Sequence, residues 1–80
     1  MVTVVLYAKP ECSLCARVRE ILKRLQQQRP FGLEEVDITS DPLRYELYKD
    51  WIPVVTVDGR EAMRGIPNEV ALRRALGLEL

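Results

Sequence analysis

The stretch VTVVLYAKPECSLCARVREIL, residues 2–22, changes its hydrophobic period midway, and that change decides the fold. Val2 to Tyr7 is β-branched and aromatic almost without a break, as in a strand buried on both faces. Pro10 stops it. From Ser13 to about Gln28, residues Leu14, Val18, Ile21, Leu22 and Leu25 fall on one helical face, with Arg17, Glu20, Lys23 and Arg24 elsewhere. Pro30 and Gly32 end this helix.

Downstream, Leu33 to Ile38 (LEEVDI) is a short strand whose charges suit a sheet edge. The TSDP segment starts a second helix, with Ser40 or Asp41 as N-cap and Pro42 at the first helical position. Leu43 and Leu47 lie one turn apart on that helix, which ends near Lys49. Val54 to Val57 is a third strand, Asp58-Gly59 a hairpin turn, and Arg60 to Met63 the returning fourth strand. Pro67 opens a last helix with Val70, Leu72, Ala75 and Leu76 apolar, and Gly77 closes it. Arg73 and Arg74 on this helix read as a solvated face. The expected class is α/β, in the order β-α-β-α-β-β-α. Its first unit is a right-handed βαβ crossover, and the whole is a mixed four-stranded sheet with helices on both faces.

Eighty residues are expected to form one domain, 1–80, with a modest core; a chain of this size buries about 60–65% of its unfolded surface. Twelve acidic residues balance twelve basic ones, against a dedicated nucleic-acid binder. No apolar run approaches the ~20 residues of a bilayer span. The opening MVTVVLYAKP lacks a basic lead and is too short for a signal peptide. The expected home is the cytosol, where structural disulfides are rare.

Both cysteines, Cys12 and Cys15, fall at the junction of the first strand and helix. Open α/β sheets place their chemistry at that end of the strands. A helix N-terminus offers unpaired N–H groups and partial positive charge, which favour a thiolate at Cys12. Lys9 adds to this and Glu11 opposes it. Cys15, one turn further in, is expected to be more buried and still within reach of Cys12. The pair closes too short a loop to be much of a staple; the chain-entropy model gives under ~2 kcal/mol. A structural zinc site usually takes four Cys or His ligands, and this chain has two cysteines and no histidine. On the residues alone the pair is a redox dithiol, two inert thiols, or half of a metal site shared with a second subunit.

Beyond these residues, the chain resembles a glutaredoxin over nearly its whole length, most closely the short glutaredoxin-like proteins with a C-x-L-C motif. The likeness rests on the dithiol at a strand-to-helix junction, the element order, and WIPVVTVDG, residues 51–59. It implies a thioredoxin-like fold and a thiol–disulfide oxidoreductase with Cys12 as nucleophile and Cys15 as resolving thiol. It also implies a cis Pro53 facing the dithiol, and an Ile52 whose backbone pairs with the substrate chain. Lys9 matches the basic residue that pairs with a glutathione carboxylate. Gly65, in MRGIPNE, matches one of two glycines beside the γ-glutamyl site. Arg64 stands for the other glycine, Pro67 lacks an N–H, and Ser13-Leu14 replaces the usual Pro-Tyr. These departures affect glutathione binding and leave the dithiol chemistry intact.

The implied partners are a disulfide-bearing protein or small molecule as substrate, and glutathione or a thioredoxin-reductase-like flavoprotein as donor. No metal, organic cofactor, nucleic acid or membrane is expected, and the chain is expected to be monomeric. Tyr45, Tyr48 and Trp51, spaced by three, line a groove beside Cys12 or pack at the core and edge. Arg64 reaches an acidic partner or is simply solvated. The competing reading is a binding module on the same fold without redox turnover.

Overall fold

The structure, a computed structural model, describes residues 2–78. Its elements are β1 (Thr3–Ala8), α1 (Ser13–Gln28), β2 (Gly32–Asp37), a 3-10 turn (Ile38–Ser40), α2 (Pro42–Tyr48), β3 (Val54–Val57), β4 (Arg60–Arg64) and α3 (Glu69–Ala75). The sheet order is β2-β1-β3-β4. β2 runs parallel to β1, while β3 is antiparallel to both β1 and β4.

Val4, Leu6 and Ala8 alternate along β1 and bury one face of it. They form one apolar cluster with Cys15, Val18, Leu22 and Leu25 of α1, Val55, Met63, and Leu72 and Leu76 at α3. Helices α1 and α3 therefore cover this face. On the other face the Tyr7 ring lies 4.9 Å from that of Tyr48 in α2. Val54 pairs with Tyr7 and is fully buried. The expectation that β1 is buried on both faces needs correction: Val5 and Tyr7 are only half-buried. Helix α2 is the reason, since it has seven residues, none of them buried, and covers its face thinly.

Local capping explains most of the boundary differences. Asp37 accepts from the Thr39 N–H and hydroxyl, which turns Ile38 out of the strand and into the 3-10 turn. Asp41, not Ser40, caps α2, its Oδ1 accepting from the Leu43 and Arg44 N–H groups. Pro67 does not open α3; Asn68 caps it through the Ala71 N–H, and the helix begins at Glu69. Arg73 is not simply solvated. It donates to Gln28 at 3.1 Å and pairs with Glu69 at 3.6 Å, while Arg74 is exposed. Asp58 and Gly59 both take positive φ, as a two-residue hairpin turn requires.

Removing the α2 cap has a measurable cost. Asp41→Ala is expected to lower unfolding free energy by about 1 kcal/mol. Asp41→Asn, which keeps an acceptor, is expected to recover most of that loss. Urea denaturation of the three proteins checks both.

Candidate active site

The register brings distant residues to one end of the sheet. Tyr7 pairs with Val54, so the chain beyond β1 emerges beside Ile52 and Pro53. Val54 also pairs with Arg64, which puts Gly65 next in line. On the other flank Ala8 pairs with Asp37. Lys9, Cys12 and Asp37 thus line one cleft at the carboxyl end of β1, and Pro53 and Gly65 follow along the same end of the sheet on its other side.

Glu11 enters this corner with φ of 60°, the left-handed region, which turns the chain into α1. Cys12 follows as the N-cap of α1, and its Sγ accepts the Cys15 N–H at 3.2 Å. The Cys12 carbonyl accepts from Ala16 at 3.1 Å. Cys12 is half-buried, while Cys15 is wholly buried within the apolar cluster. The two are joined as a disulfide, with Cα atoms 5.2 Å apart. An amide that donates to a sulfur at a helix N-terminus bonds the thiolate more strongly than the thiol.

Pro53 is buried and its bond to Ile52 is cis. Ile52 is half-buried, and its N–H already donates to the Tyr48 carbonyl at 3.1 Å. Gly65 donates its N–H to the Trp51 and Pro53 carbonyls, at 2.9 and 2.8 Å. That amide ties the fourth strand to the proline turn. Arg64 bonds Glu61 side to side and lies 5.2 Å over the Trp51 ring, so it is neither free nor merely solvated. Of the three spaced aromatics, Tyr48 packs on Tyr7, whereas Tyr45 and Trp51 stay largely exposed.

On the β2 side of Cys12 lies a cleft of about 500 Å³ that sequence reasoning did not anticipate. Lys9, Glu11, Cys12, Arg19, Glu35 and Asp37 are among its lining residues. Arg19 makes a two-pronged bond to Glu35, both contacts 2.6 Å, from one helix to the edge strand. The only sequence signal for it was a basic residue on α1's outer face and a charged β2. Arg19 holds the Glu35 carboxyl below the usual range. The Thr39 hydroxyl and N–H do the same for Asp37.

Glu61 beside Arg64 and Glu69 beside Arg24 are lowered likewise. Each of these four carboxyls is more acidic folded than unfolded, so on acidification the unfolded chain takes up protons first. Their contribution is complete above the ordinary values, 4.5 for Glu and 3.8 for Asp, and is lost as pH falls through the folded ones. The urea midpoint is therefore expected to be level near neutrality and to drop below about pH 4.5. A midpoint that rises on acidification would contradict this.

Residues 3–77 match the family model of the glutaredoxin-like domain (DUF836). Among solved structures, the chain is similar to protein Ne2328 from Nitrosomonas europaea, with 24% identity and a TM-score of 0.80 over 98% of this chain and 92% of that one. It is similar to protein XcR50 from X. campestris, with 28% identity and a TM-score of 0.76 over 92% and 95%. The fold is also that of mitochondrial thioredoxin 3 from Saccharomyces cerevisiae, with 20% identity and a TM-score of 0.70 over 95% and 76%. A thioredoxin-like fold with a Cys12–Cys15 disulfide at the helix N-terminus supports a redox-type function. Among the described residues, no helix is long and apolar enough to cross a membrane.

Proposed function

The chain belongs to the glutaredoxin-like domain family, and from that premise we propose that it is a thiol–disulfide oxidoreductase acting through Cys12 and Cys15. The observation that carries this reading is the Cys15 N–H bonded to the Cys12 sulfur, with Cys12 reachable and Cys15 buried. In the reduced protein the Cys12 thiolate attacks a substrate disulfide. One substrate sulfur leaves as a thiol, and the other forms a mixed disulfide with Cys12. The Cys15 thiolate then attacks Cys12, releases the second substrate thiol, and closes the disulfide seen here. Two electrons pass to the substrate.

The exchange is complete with these sulfurs and calls for no metal or organic cofactor. Disulfides of proteins or small molecules are its substrates, and glutathione or a thioredoxin-reductase-like flavoprotein restores the dithiol. The cytosol suits such a cycle. The Ile52 carbonyl is the half of that residue's backbone left to pair with a substrate, because its N–H is held by Tyr48. Lys9 and Gly65 flank the same end of the sheet.

Alkylation of the reduced protein by iodoacetamide as a function of pH tests the reading. Cys12 is expected to react at half its full rate well below the ordinary thiol value of ~8.5, and Cys15 to react far more slowly. A Cys12 midpoint at the ordinary value would favour a binding module without redox turnover.

A further inference from the structure

The charges of the chain cancel in total, twelve against twelve, but not in space. Helices α1 and α3, which share one face of the sheet, hold six basic residues and two acidic ones, Glu20 and Glu69. Residues 33–50, with the edge strand β2 and the opposite helix α2, hold six acidic and two basic ones. Salt screens charges beyond about 8 Å, so a partner at the helix layer meets the local charge and not the total.

That layer contains a groove of about 460 Å³ between α1 and α3, lined by Arg17, Glu20, Ile21, Arg24 and Glu69. Arg24 forks onto the Glu69 carboxylate at 3.2 and 2.5 Å, from one helix to the other. The groove thus already holds one carboxylate in the geometry that guanidinium groups favour. Arg24 is 54% exposed and has N–H groups beyond the two that Glu69 takes. Arg17 offers the same fork with nothing on it: it is exposed, and among the described residues its side chain has no hydrogen bond or ion pair. Arg17 and Arg24 are seven residues apart, two helical turns or about 10 Å, on one stripe of α1. Ile21 lies between them on that stripe, half-buried.

The pattern along the groove is therefore cation, apolar, cation. Neither α1 nor α3 contains an aromatic residue, so the layer has nothing to stack on a nucleic-acid base. A phosphate backbone, charged at every step, could not avoid Glu20 and Glu69. A helix with two carboxylates seven residues apart can avoid both.

We propose that the groove between α1 and α3 docks an acidic amphipathic helix of a partner protein. One carboxylate meets Arg17, a second one two turns along meets Arg24, and an aliphatic side chain between them rests on Ile21. The surface includes neither cysteine and does not depend on their redox state.

The probe is a capped, alanine-based helical peptide of about 14 residues, with two glutamates seven apart and a leucine midway. It is titrated into the nitrogen-15-labelled oxidised protein at about 0.1 M salt, and backbone amide shifts are followed. The expected result is saturable binding with shifts confined to α1 and α3. Affinity is expected to fall roughly fivefold or more in Arg17→Glu and to stay within about twofold in Lys49→Glu. Lys49 caps α2 on the other face, and its substitution changes the net charge equally. The same spectra report that each variant is folded. A peptide with lysines in place of the glutamates is expected not to bind. Unchanged affinity in Arg17→Glu, shifts centred on another element, or no saturation overturns the proposal. Tighter binding of the lysine peptide or of a short DNA duplex overturns it too. The dithiol reading is tested apart from this, by the alkylation of Cys12.

Discussion

Cys12→Ser is expected to reduce disulfide-reductase activity by roughly a thousandfold or more, to the level of buffer thiols. The chain contains two sulfurs able to attack, and the fold makes them unequal. Cys12 is the half-buried N-cap whose sulfur receives an amide N–H. Cys15 sits wholly buried among Leu6, Val18 and Leu22, where a charged sulfur is poorly solvated. A serine at position 12 keeps the cap, because its hydroxyl accepts the same N–H. The loss is then chemical and not structural, and an unchanged melting curve of the reduced variant verifies this. Cys15→Ser has a different signature. Its nucleophile is intact, so it stalls at the mixed disulfide, and intact-mass measurement finds the protein heavier by one substrate half. Full activity in Cys12→Ser, or a stalled adduct on Cys15 instead, would reverse the roles.

Leu22→Ala has the largest expected effect on stability. Leu22 is fully buried at the middle of α1, in the cluster joining β1, α1 and α3. Truncation removes apolar burial and leaves a cavity that a close-packed core fills poorly, at a cost of roughly 2–5 kcal/mol. For a domain of this length, that is a fall in Tm of about 10–25 °C. Leu43→Ala is the control. Leu43 has the same chemistry but is 78% exposed on α2, and its replacement is expected to stay within about 0.5 kcal/mol. Thermal denaturation followed by circular dichroism compares the two. Equal losses would mean that Leu43 is covered in solution.

The features legible in the sequence were those with local physical signs. The switch from a β-branched run to a helical stripe marked the β1–α1 junction, and with it the position of both cysteines. The Asp58-Gly59 pair marked the hairpin, because both residues accept the left-handed backbone that the turn needs. Capping was only partly legible. Asp37, Asp41 and Asn68 are all suitable caps, but which neighbouring N–H each one takes depends on backbone direction that composition does not encode. Ile38 continued an apolar pattern and looked like strand until the Asp37 side chain turned the chain away.

Individual hydrogen bonds between distant segments were not legible. Arg19 meets Glu35 across the sheet edge, Arg73 meets Gln28, and the Gly65 N–H meets two carbonyls on the proline turn. Each arises from the packing of elements and not from a period along one of them. The cleft beside Cys12 was hidden for the same reason, since its walls come from a helix and from a strand that follows it.

The place of β2 in the sheet has a consequence for how such a protein diversifies. β2 has a single neighbour, and Glu35 on it is exposed and outside the core. Glu35 and Asp37 of the cleft thus sit on a margin, while β1 and α1, which hold the dithiol, carry the core. Substitution at exposed positions of that margin leaves the core packing untouched, and what it loses is confined to surface contacts such as Arg19 with Glu35. Acidic residues on the outer strand are therefore open to exchange while the scaffolding that holds the disulfide stays as it is.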